Sequence, residues 1–367
     1  KDARVFVDEE LIDSYRKKLF ALYEDRSFPR TTITAEEEPQ ATPFESVIVF
    51  QIKEGRQLPL RRLDIVGNTE YSDREIRKRM KTKKSWWFFK RDYVEATMKQ
   101  DLEIIRDMYL DRGYLDVKVT QEGPYEEGKG LGVTVNIAEG PRYRVGEIAV
   151  EGNEIFTDRE ILNEFALTEG DFYSEGTTQK SLLDILNMYR AQGNYFTRVR
   201  KNLDPQKEEG HVTDVDIVIR EAERLRLGTI EIQGVTRMEG TGELIILEDD
   251  EFVTKDYVVK REIKLDSGDV LDWSKILEAD RQLVNLNFFK SRPYPRPGIL
   301  NLDPGFSEPF PRADDPTIAD LLLQLEEVRT GLITFGGSYN TTFGPGAFIE
   351  YSKRNLFGRG QEIRTLL

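Results

Sequence analysis

Cysteine is absent from the 367-residue sequence, and histidine occurs once, at His211. The lack of cysteine excludes disulfides, thiolate zinc sites and cysteine nucleophiles. A single histidine excludes metal sites that need several imidazoles and argues against histidine-based catalysis. No apolar run reaches the length of about 18 residues that a transmembrane helix needs. No signal peptide is visible at Lys1, so we expect a mature form or a fragment of a longer chain.

Basic residues are outnumbered, since 53 Lys and Arg face 67 Asp and Glu for a formal charge of −14. Nucleic-acid binding needs a net basic face, so nucleic acid is not expected as the main partner. Hydrophobic residues make up 38% of the chain and charged residues 33%. This composition is polar, but it holds enough apolar side chains to exclude wholesale disorder. The length predicts about two to three domains.

An internal repeat with a period of about 80 residues organises the chain. Its first marker is a short apolar strand before a turn, seen as LDIVGN (63–68), IAVEGN (148–153) and IEIQGV (230–235). Its second marker is an alternating strand that runs into an acidic turn, seen as VIVFQIKEGR (47–56), VTVNIAEGPR (133–142), VDIVIREAER (215–224) and LLLQLEEVRTG (321–331). Helical segments lie between the two markers.

Each repeat therefore predicts the order strand, short helix, long helix, strand, strand. In one long helix the apolar residues recur at helical spacing, at Val94, Met98, Leu102, Ile105 and Tyr109. The closing strand alternates, with Val133, Val135 and Ile137 on one face. Gly113 and Gly193 stand where a helix end turns left-handed. The fold class is α+β, built of modules in which a three-stranded sheet carries two helices on one face.

The last residues follow a different pattern. After Gly331, the residues Ile333, Phe335, Gly337 and Tyr339 alternate with small and polar residues, and a Gly-Pro-Gly turn is predicted at 344–346. Strands of about ten residues with outward aromatics are typical of a transmembrane β-barrel. Residues 331–367 have room for its first two strands, and we expect the barrel to continue beyond Leu367. An ordinary soluble hairpin is the alternative.

The repeats resemble the POTRA modules of the BamA family of outer-membrane β-barrel assembly proteins. The residues that carry the resemblance are Gly67-Asn68, Gly152-Asn153, Arg112-Gly113-Tyr114 and Glu139-Gly140-Pro141. The most specific stretch is 326–361, which contains Asn355-Leu356-Phe357-Gly358 and looks like the passage from the last module into the barrel. The resemblance covers essentially the whole chain.

On this register the chain divides into five parts: the C-terminal half of a module (1–56), two complete modules (57–141 and 142–223), a last module with insertions (224–330) and the truncated barrel start (331–367). At least four modules favour a BamA-type protein, because TamA-type proteins generally carry three and two-partner secretion transporters two. The last module departs from the pattern at Val235, which replaces the turn Asn, in an acidic insert (236–256) and in a proline-rich connection (292–317).

No catalytic constellation is present. GPYEEGKG (123–130) has the Gly and Lys spacing of a phosphate-binding loop, but Gly130 stands where Ser or Thr would hold magnesium, so a hairpin loop is expected. The acidic run Glu248-Asp249-Asp250-Glu251 lacks the spacing of a calcium loop. His211 is expected in a surface turn. We therefore expect no enzyme activity, no cofactor, no metal and no nucleotide.

The main candidate for binding is the backbone of an edge strand, which can pair with an added peptide strand. The second strand of each module is the predicted edge, and its candidate residues are Leu115, Val117, Lys118, Val119, Tyr195, Thr197, Arg198, Val199 and Arg200. Lysine and arginine on an edge also protect a sheet from aggregation, so protection alone is the alternative.

A second candidate is a basic-aromatic patch that would touch a membrane, a precursor or a partner lipoprotein. Its residues are Lys83, Lys84, Trp86, Trp87, Phe88, Phe89, Lys90 and Arg91. The alternative is that some of its aromatic residues fill the module core.

The resemblance implies the function. Periplasmic modules at the outer membrane would receive unfolded outer-membrane protein precursors and dock assembly lipoproteins, and the barrel would contact outer-membrane lipid. The seam strand that pairs with a client would contain Ile333, Phe335, Gly336, Gly337 and Tyr339. The competing functions are a TamA-like or two-partner secretion transporter with a narrow client class, a soluble periplasmic scaffold or chaperone, and an enzyme with an unrecognised site.

Overall fold

A computed structural model describes residues 9–24, 28, 31–39, 46–55, 58–85, 91–128, 130–206, 210–237, 244–248, 251–290, 307–342 and 344–366. Two compact units are formed, one from residues 1–145, 169–176 and 205–213, and one from residues 146–168, 177–204 and 214–367. Within the described part of the chain, no helix is long and apolar enough to cross a membrane.

The first unit opens with helix α1 (Glu9–Glu24), which is followed by strands β1 (Thr32–Pro39) and β2 (Ser46–Lys53). The two strands pair antiparallel, with Thr32 opposite Lys53. The order of helix, strand and strand is the order predicted for the second half of a module.

The first complete module has the predicted order of elements. It consists of β3 (Leu60–Val66), α2 (Asp73–Arg79), α3 (Glu95–Leu110), β4 (Lys118–Glu127) and β5 (Gly130–Ala138). The strand order in the sheet is β3-β5-β4, with β5 in the centre, parallel to β3 and antiparallel to β4. This arrangement confirms the fold predicted from the repeat.

Local sequence signals explain the helices of this module. Ser72 and Glu75 form a capping box that fixes the start of α2. On α3 the predicted stripe is the core face, where Met98, Ile105 and Tyr109 are fully buried. Val94 is the exception, because it is the exposed N-cap residue that precedes the helix.

The second module repeats the first. Its elements are β6 (Arg144–Glu151), α4 (Asp158–Glu164), α5 (Glu175–Ala191), β7 (Arg198–Gln206) and β8 (Val212–Arg220). The strand order is β6-β8-β7, so the closing strand β8 is again central. Thr157 and Glu160 form the same capping box at α4. Gly193 follows α5 with a φ of 92°, as Gly113 follows α3 with a φ of 89°, which confirms both predicted left-handed ends.

The third module has a fourth strand. Its elements are β9 (Arg226–Arg237), β10 (Leu244–Ile246), α6 (Asp256–Lys260), α7 (Trp273–Asn285), β11 (Ser307–Pro311) and β12 (Ile318–Leu325). The order is β10-β9-β12-β11. The prediction of a turn at Val235 is wrong, because β9 continues through it to Arg237 and Val235 pairs with Ile246 on β10.

The proline-rich connection is only partly described. Residues 291–306 lie outside the described residues, whereas Ser307–Pro311 form β11 at the sheet edge. Proline generally disfavours regular structure, yet Ser307–Pro311 form a strand here. An edge strand tolerates proline, since half of its N–H groups face away from the sheet.

The C-terminal residues form an antiparallel meander of β13 (Gly331–Asn340), β14 (Gly344–Lys353) and β15 (Ile363–Leu366), with a 3-10 turn at Leu356–Gly358. Two details differ from the prediction. The Gly-Pro-Gly sequence lies inside β14, where Pro345 pairs with Tyr339, so the turn falls before Gly344. A third strand begins within the segment that was expected to hold two.

Candidate functional site

The strand after the long helix lies at the sheet edge in each of the three modules. These edge strands are β4, β7 and β11, and the closing strands β5, β8 and β12 separate them from the first strand of the module. This confirms the predicted place of the edge. Each edge strand presents backbone N–H and C=O groups that no neighbouring strand of its own sheet pairs.

The three edges differ in how open they are to an added strand. Strand β4 contains Pro124, and its pairing with β5 is irregular between Glu122 and Tyr125. Strand β11 contains Pro309 and Pro311. Strand β7 has no proline before Pro205. Because proline removes an N–H donor, the run 198–204 on β7 is the longest uninterrupted edge among these three strands.

Four of the predicted edge residues do not lie on the strands. Strand β4 begins at Lys118 and β7 at Arg198, so Leu115, Val117, Tyr195 and Thr197 belong to the preceding turns. Val117 and Thr197 are buried. The expectation that these residues offer an edge is wrong, because the left-handed turns after α3 and α5 take up more residues than the sequence pattern indicates.

Tyr195 has a structural place instead. It is buried in the core of the third module, and its ring centre lies 4.6 Å from that of Trp273. Its ring therefore packs the end of the second module against the core of the third. Tyr195 is thus unavailable to a client strand.

The remaining candidates alternate along the strands as the pleat requires. Val199 is buried on the helix side of β7, and Arg198 and Arg200 are exposed. On β4, Lys118 is exposed and Val119 is half-buried. The structure thus brings Arg198, Val199 and Arg200 together on one open edge.

A groove of about 320 Å³ accompanies this edge. It is lined by Leu186 and Arg190 of α5 and by residues 195–200. Sequence reasoning missed Arg190. The signal that could have found it is a charged residue on the apolar face of a long helix.

Arg190 is a buried cation, with only 8% of its surface exposed. Its Nε donates to the carbonyl of Tyr195 at 3.3 Å, and its guanidinium lies 4.6 Å from the centre of the Tyr195 ring. Its Nη1 is buried without a hydrogen-bond partner among the described residues. Burial lowers the pKa of the guanidinium below its ordinary value.

The basic-aromatic patch is described only in part. Trp86, Trp87, Phe88, Phe89 and Lys90 lie outside the described residues. The flanking residues hold hydrogen bonds within the module. Lys83 Nζ donates to the Arg77 carbonyl, and the backbone of Arg91 donates to Ser85 Oγ and accepts from Leu60 N. Lys84 is exposed. The patch as a binding surface stays a prediction.

The predicted seam strand is β13. Phe335 and Tyr339 are 80% and 77% exposed, and Ile333 is exposed on the same face. On the other face Gly336 lies beneath Phe348, since an added Cβ would stand 2.6 Å from the Phe348 ring. Gly337 has more room, because the nearest atom to an added Cβ would be Gly346 O, at 3.7 Å. Large apolar side chains thus face outward along this strand.

His211 is not a plain surface residue. It is half-buried, its backbone φ is 58°, and its ring centre lies 5.6 Å from that of Tyr143. The surface expectation is wrong because the strand turn before β8 folds the ring onto this tyrosine. Among the described residues, no group of three His, Asp or Glu side chains has metal-binding geometry.

Glu139, which follows the closing strand β5, makes a set of hydrogen bonds that sequence reasoning did not assign. Glu139 Oε1 accepts from Thr69 N at 2.6 Å, from Glu70 N at 2.9 Å and from the Tyr109 hydroxyl at 2.9 Å. Burial alone would raise the pKa of Glu139. The hydrogen bond from the Thr69 hydroxyl and the three bonds above outweigh burial and hold the pKa below its ordinary value. The turn after the first strand is thereby fixed to the long helix.

The loop after β14 contacts the third module. Asn355 Nδ2 donates to Thr254 Oγ1 at 2.7 Å, and Lys255 N donates to the Gly358 carbonyl at 2.9 Å. Glu327 receives the backbone N–H of Val253 and of Thr254. The meander is thus attached to the start of α6 by named hydrogen bonds.

Comparison with known proteins shows which proteins the modules are similar to. The sequence model of the POTRA family, described as surface antigen variable number repeat, matches residues 59–140 and 143–222. A solved structure of Haemophilus influenzae BamA POTRA3-5 is similar, with a TM-score of 0.57 and 18% identity over 74% of this chain and 96% of that one. At this identity the likeness shows the fold.

Two curated relatives match most of the chain. An outer membrane protein assembly factor of Treponema pallidum (strain Nichols) is 25% identical over 354 residues, which are 93% of this chain and 38% of that protein. Outer membrane protein assembly factor BamA of Nitratidesulfovibrio vulgaris is 23% identical over 96% of this chain and 42% of its own length. The chain therefore spans about two fifths of the length of these relatives.

Proposed function

We propose that this chain is a POTRA-repeat member of the BamA family of outer membrane protein assembly factors. Its modules receive unfolded β-barrel precursors by strand addition. A client strand would pair with the edge strand β7 and leave again for the barrel. The protein is located at the outer membrane, with its modules on the periplasmic side. The activity is non-enzymatic.

The observation that carries this proposal is the run 198–204 on the edge of β7, which contains no proline. Main-chain hydrogen bonds to such an edge give affinity with little demand on sequence, which suits a receiver of many clients. Exposed Arg198 and Arg200 guard the same edge against pairing between copies of the chain. Protection and reception are compatible, because a single client strand can pair where a second folded sheet is repelled.

The other parts of the chain have complementary roles in this proposal. The module limits are 57–141, 142–223 and 224–330, and residues 331–367 begin a barrel whose outward Phe335 and Tyr339 face lipid. Assembly lipoproteins dock on other surfaces of the modules. No nucleotide is needed, since a client gains free energy by satisfying its backbone hydrogen bonds in the bilayer.

A crosslinking experiment tests the use of β7. The sequence has no cysteine, so Asn202→Cys on β7 and Thr120→Cys on β4 each provide a unique attachment point for a benzophenone photocrosslinker. Both positions are exposed and lie within an edge strand. Each labelled chain is mixed with a urea-unfolded porin diluted into buffer and is then irradiated.

Strand addition at β7 predicts a strong crosslink from position 202 and a weak one from position 120. A folded soluble protein should crosslink at neither position. Equal crosslinking from both positions, or none from position 202, would contradict the use of β7.

A further inference from the structure

The three modules differ at one position of their long helices. The position lies three residues before the left-handed residue that ends each helix, which is Gly113, Gly193 or Asn287, with φ values of 89°, 92° and 55°. The residue there is Leu110 in the first module, Arg190 in the second and Val284 in the third. Leu110 and Val284 pack against the cores of their modules. Two of the three modules therefore have an apolar side chain at this position that packs against the core.

Arg190 stands at this position without a compensating acid. Among the described residues it forms no ion pair. Its guanidinium donates one hydrogen bond to the carbonyl of Tyr195 and makes a cation–π contact with the ring of the same residue. Buried charges are normally paired, because taking an ion out of water is costly unless a counter-charge and hydrogen bonds replace the water. Arg190 occupies the position that Leu and Val occupy in the other two modules. We therefore expect its charge to have a function.

The groove beside β7 has an uncompensated positive charge. Its lining holds Arg190, Arg198 and Arg200, and among the described residues it holds no Asp or Glu. This contrasts with the formal charge of −14 for the whole chain. Charge complementarity therefore selects an anionic occupant for this groove.

We propose that the groove takes the side-chain carboxylate of an Asp or Glu carried by an extended peptide strand that pairs with β7, and that Arg190 is its partner. Carboxylate capture here rests on the strand addition proposed above and adds a preference to it. Alternate side chains of an added strand point to the helix side of the sheet, where Arg190 lies. A planar guanidinium offers a carboxylate charge-assisted hydrogen bonds, and Nη1 has a free donor for one of them.

The experiment compares matched peptides. Each is a capped strand of alternating Val and Thr, N-acetylated and C-amidated, with one inward position occupied by Glu or by its neutral isostere Gln. The capped ends leave the Glu side chain as the only carboxylate. Competition of each peptide against photocrosslinking of unfolded porin from position 202 gives its affinity, and the Glu position is scanned along the strand.

We expect one register in which the Glu peptide binds about tenfold tighter than the Gln peptide at low salt, as a charge-assisted hydrogen bond predicts. Arg190→Leu, which gives the second module the residue of the first, should abolish this preference, so that the Glu and Gln peptides bind the variant equally well. Arg198→Ala, in the same groove but on an exposed side chain, should retain most of it. Circular dichroism and thermal unfolding establish that each variant is folded.

Equal affinity of the Glu and Gln peptides at every position would overturn carboxylate capture and leave strand addition at β7 standing. Failure of both peptides to compete would overturn both. A peptide with a free C-terminus that binds tightly without any preference for Glu would overturn the assignment to a side chain. If Arg190→Leu does not fold, Arg190→Lys replaces it and should weaken the preference, because an ammonium group lacks the planar fork.

Discussion

The Tyr189 hydroxyl donates a hydrogen bond of 2.8 Å to Oε1 of Glu221, which joins the long helix of the second module to the end of its closing strand. The same carboxylate oxygen accepts from the backbone N–H groups of Glu154 and Ile155, in the turn after the first strand. The first module has the equivalent bond between Tyr109 and Glu139. In each of these two modules, three elements that are distant in sequence are thereby fixed at one carboxylate.

Removing this hydroxyl should loosen the turn at Glu154 and Ile155. Tyr189 is fully buried, so Tyr189→Phe keeps the ring packing and removes a bond to a charged group, which should cost about 1.5–3 kcal/mol. Hydrogen exchange of the Glu154 and Ile155 amides should accelerate. Tyr125→Phe is the control, since its hydroxyl bonds Thr134 on an exposed hairpin and its loss should change stability little. Equal effects of the two substitutions would refute the role of the buried bond.

Acid should weaken the first module through Glu139. Its pKa in the folded protein lies below the ordinary value of 4.5, so as the pH falls below about 4.5 the unfolded chain takes up a proton that the folded chain does not. Stability contributed by this carboxylate is present above that pH and is lost as the pH falls through the lower, folded pKa. Urea unfolding at several pH values should show this slope, and Glu139→Gln should reduce it. An unchanged slope in the variant would assign the acid sensitivity to other groups.

The attachment of the C-terminal meander depends on Gly358. Its φ is 71°, and an added Cβ would stand 1.8 Å from the Val253 carbonyl oxygen, so Gly358→Ala cannot fit without moving this loop. Gly344→Ala is the matched control, because its φ is 80° but nothing lies within 4 Å. The control should lose only the backbone term of about 1–2 kcal/mol. Gly358→Ala should in addition speed hydrogen exchange at Lys255, whose N–H bonds the Gly358 carbonyl.

Tyr195 should behave as a core residue of the third module. Tyr195→Ala leaves a hole beside Trp273 and should cost about 3–5 kcal/mol, as large aromatic deletions in cores do. The loss should appear as earlier thermal unfolding of the third module, followed by protection of the α7 amides. Phe196→Ala is the control, since Phe196 is 44% exposed and its removal should cost little. A larger effect of Phe196→Ala would contradict the assignment.

Local patterns made the modules predictable from sequence. The helical stripe on α3, the alternation on β5 and the glycines after the long helices all depend on residues close in sequence, and each is confirmed. The course of β9 through Val235 could not be predicted in this way. It depends on pairing with β10, which lies across a segment of the chain outside the described residues.

The candidate site was predictable in place and not in detail. Module topology alone puts the second strand at an edge, but the start of β7 depends on how many residues the turn after Gly193 takes up. The aromatic and β-branched residues 195–197 have strand propensity, and packing of Tyr195 against Trp273 overrides it. From the sequence alone Arg190 is indistinguishable from an ordinary helix residue. Only the structure shows that it is buried and lacks a counter-charge.

Backbone hydrogen exchange along β7 tests the central claim most directly. The exchange of each amide in 198–204 and in β4 is measured for the chain alone and with urea-unfolded porin diluted into the sample. Client strand addition predicts slower exchange at every second amide of β7, namely those that point away from the neighbouring strand β8. The exchange of the β4 amides should not change. Protection on β4 alone, or no change along β7, would contradict reception of clients at this edge.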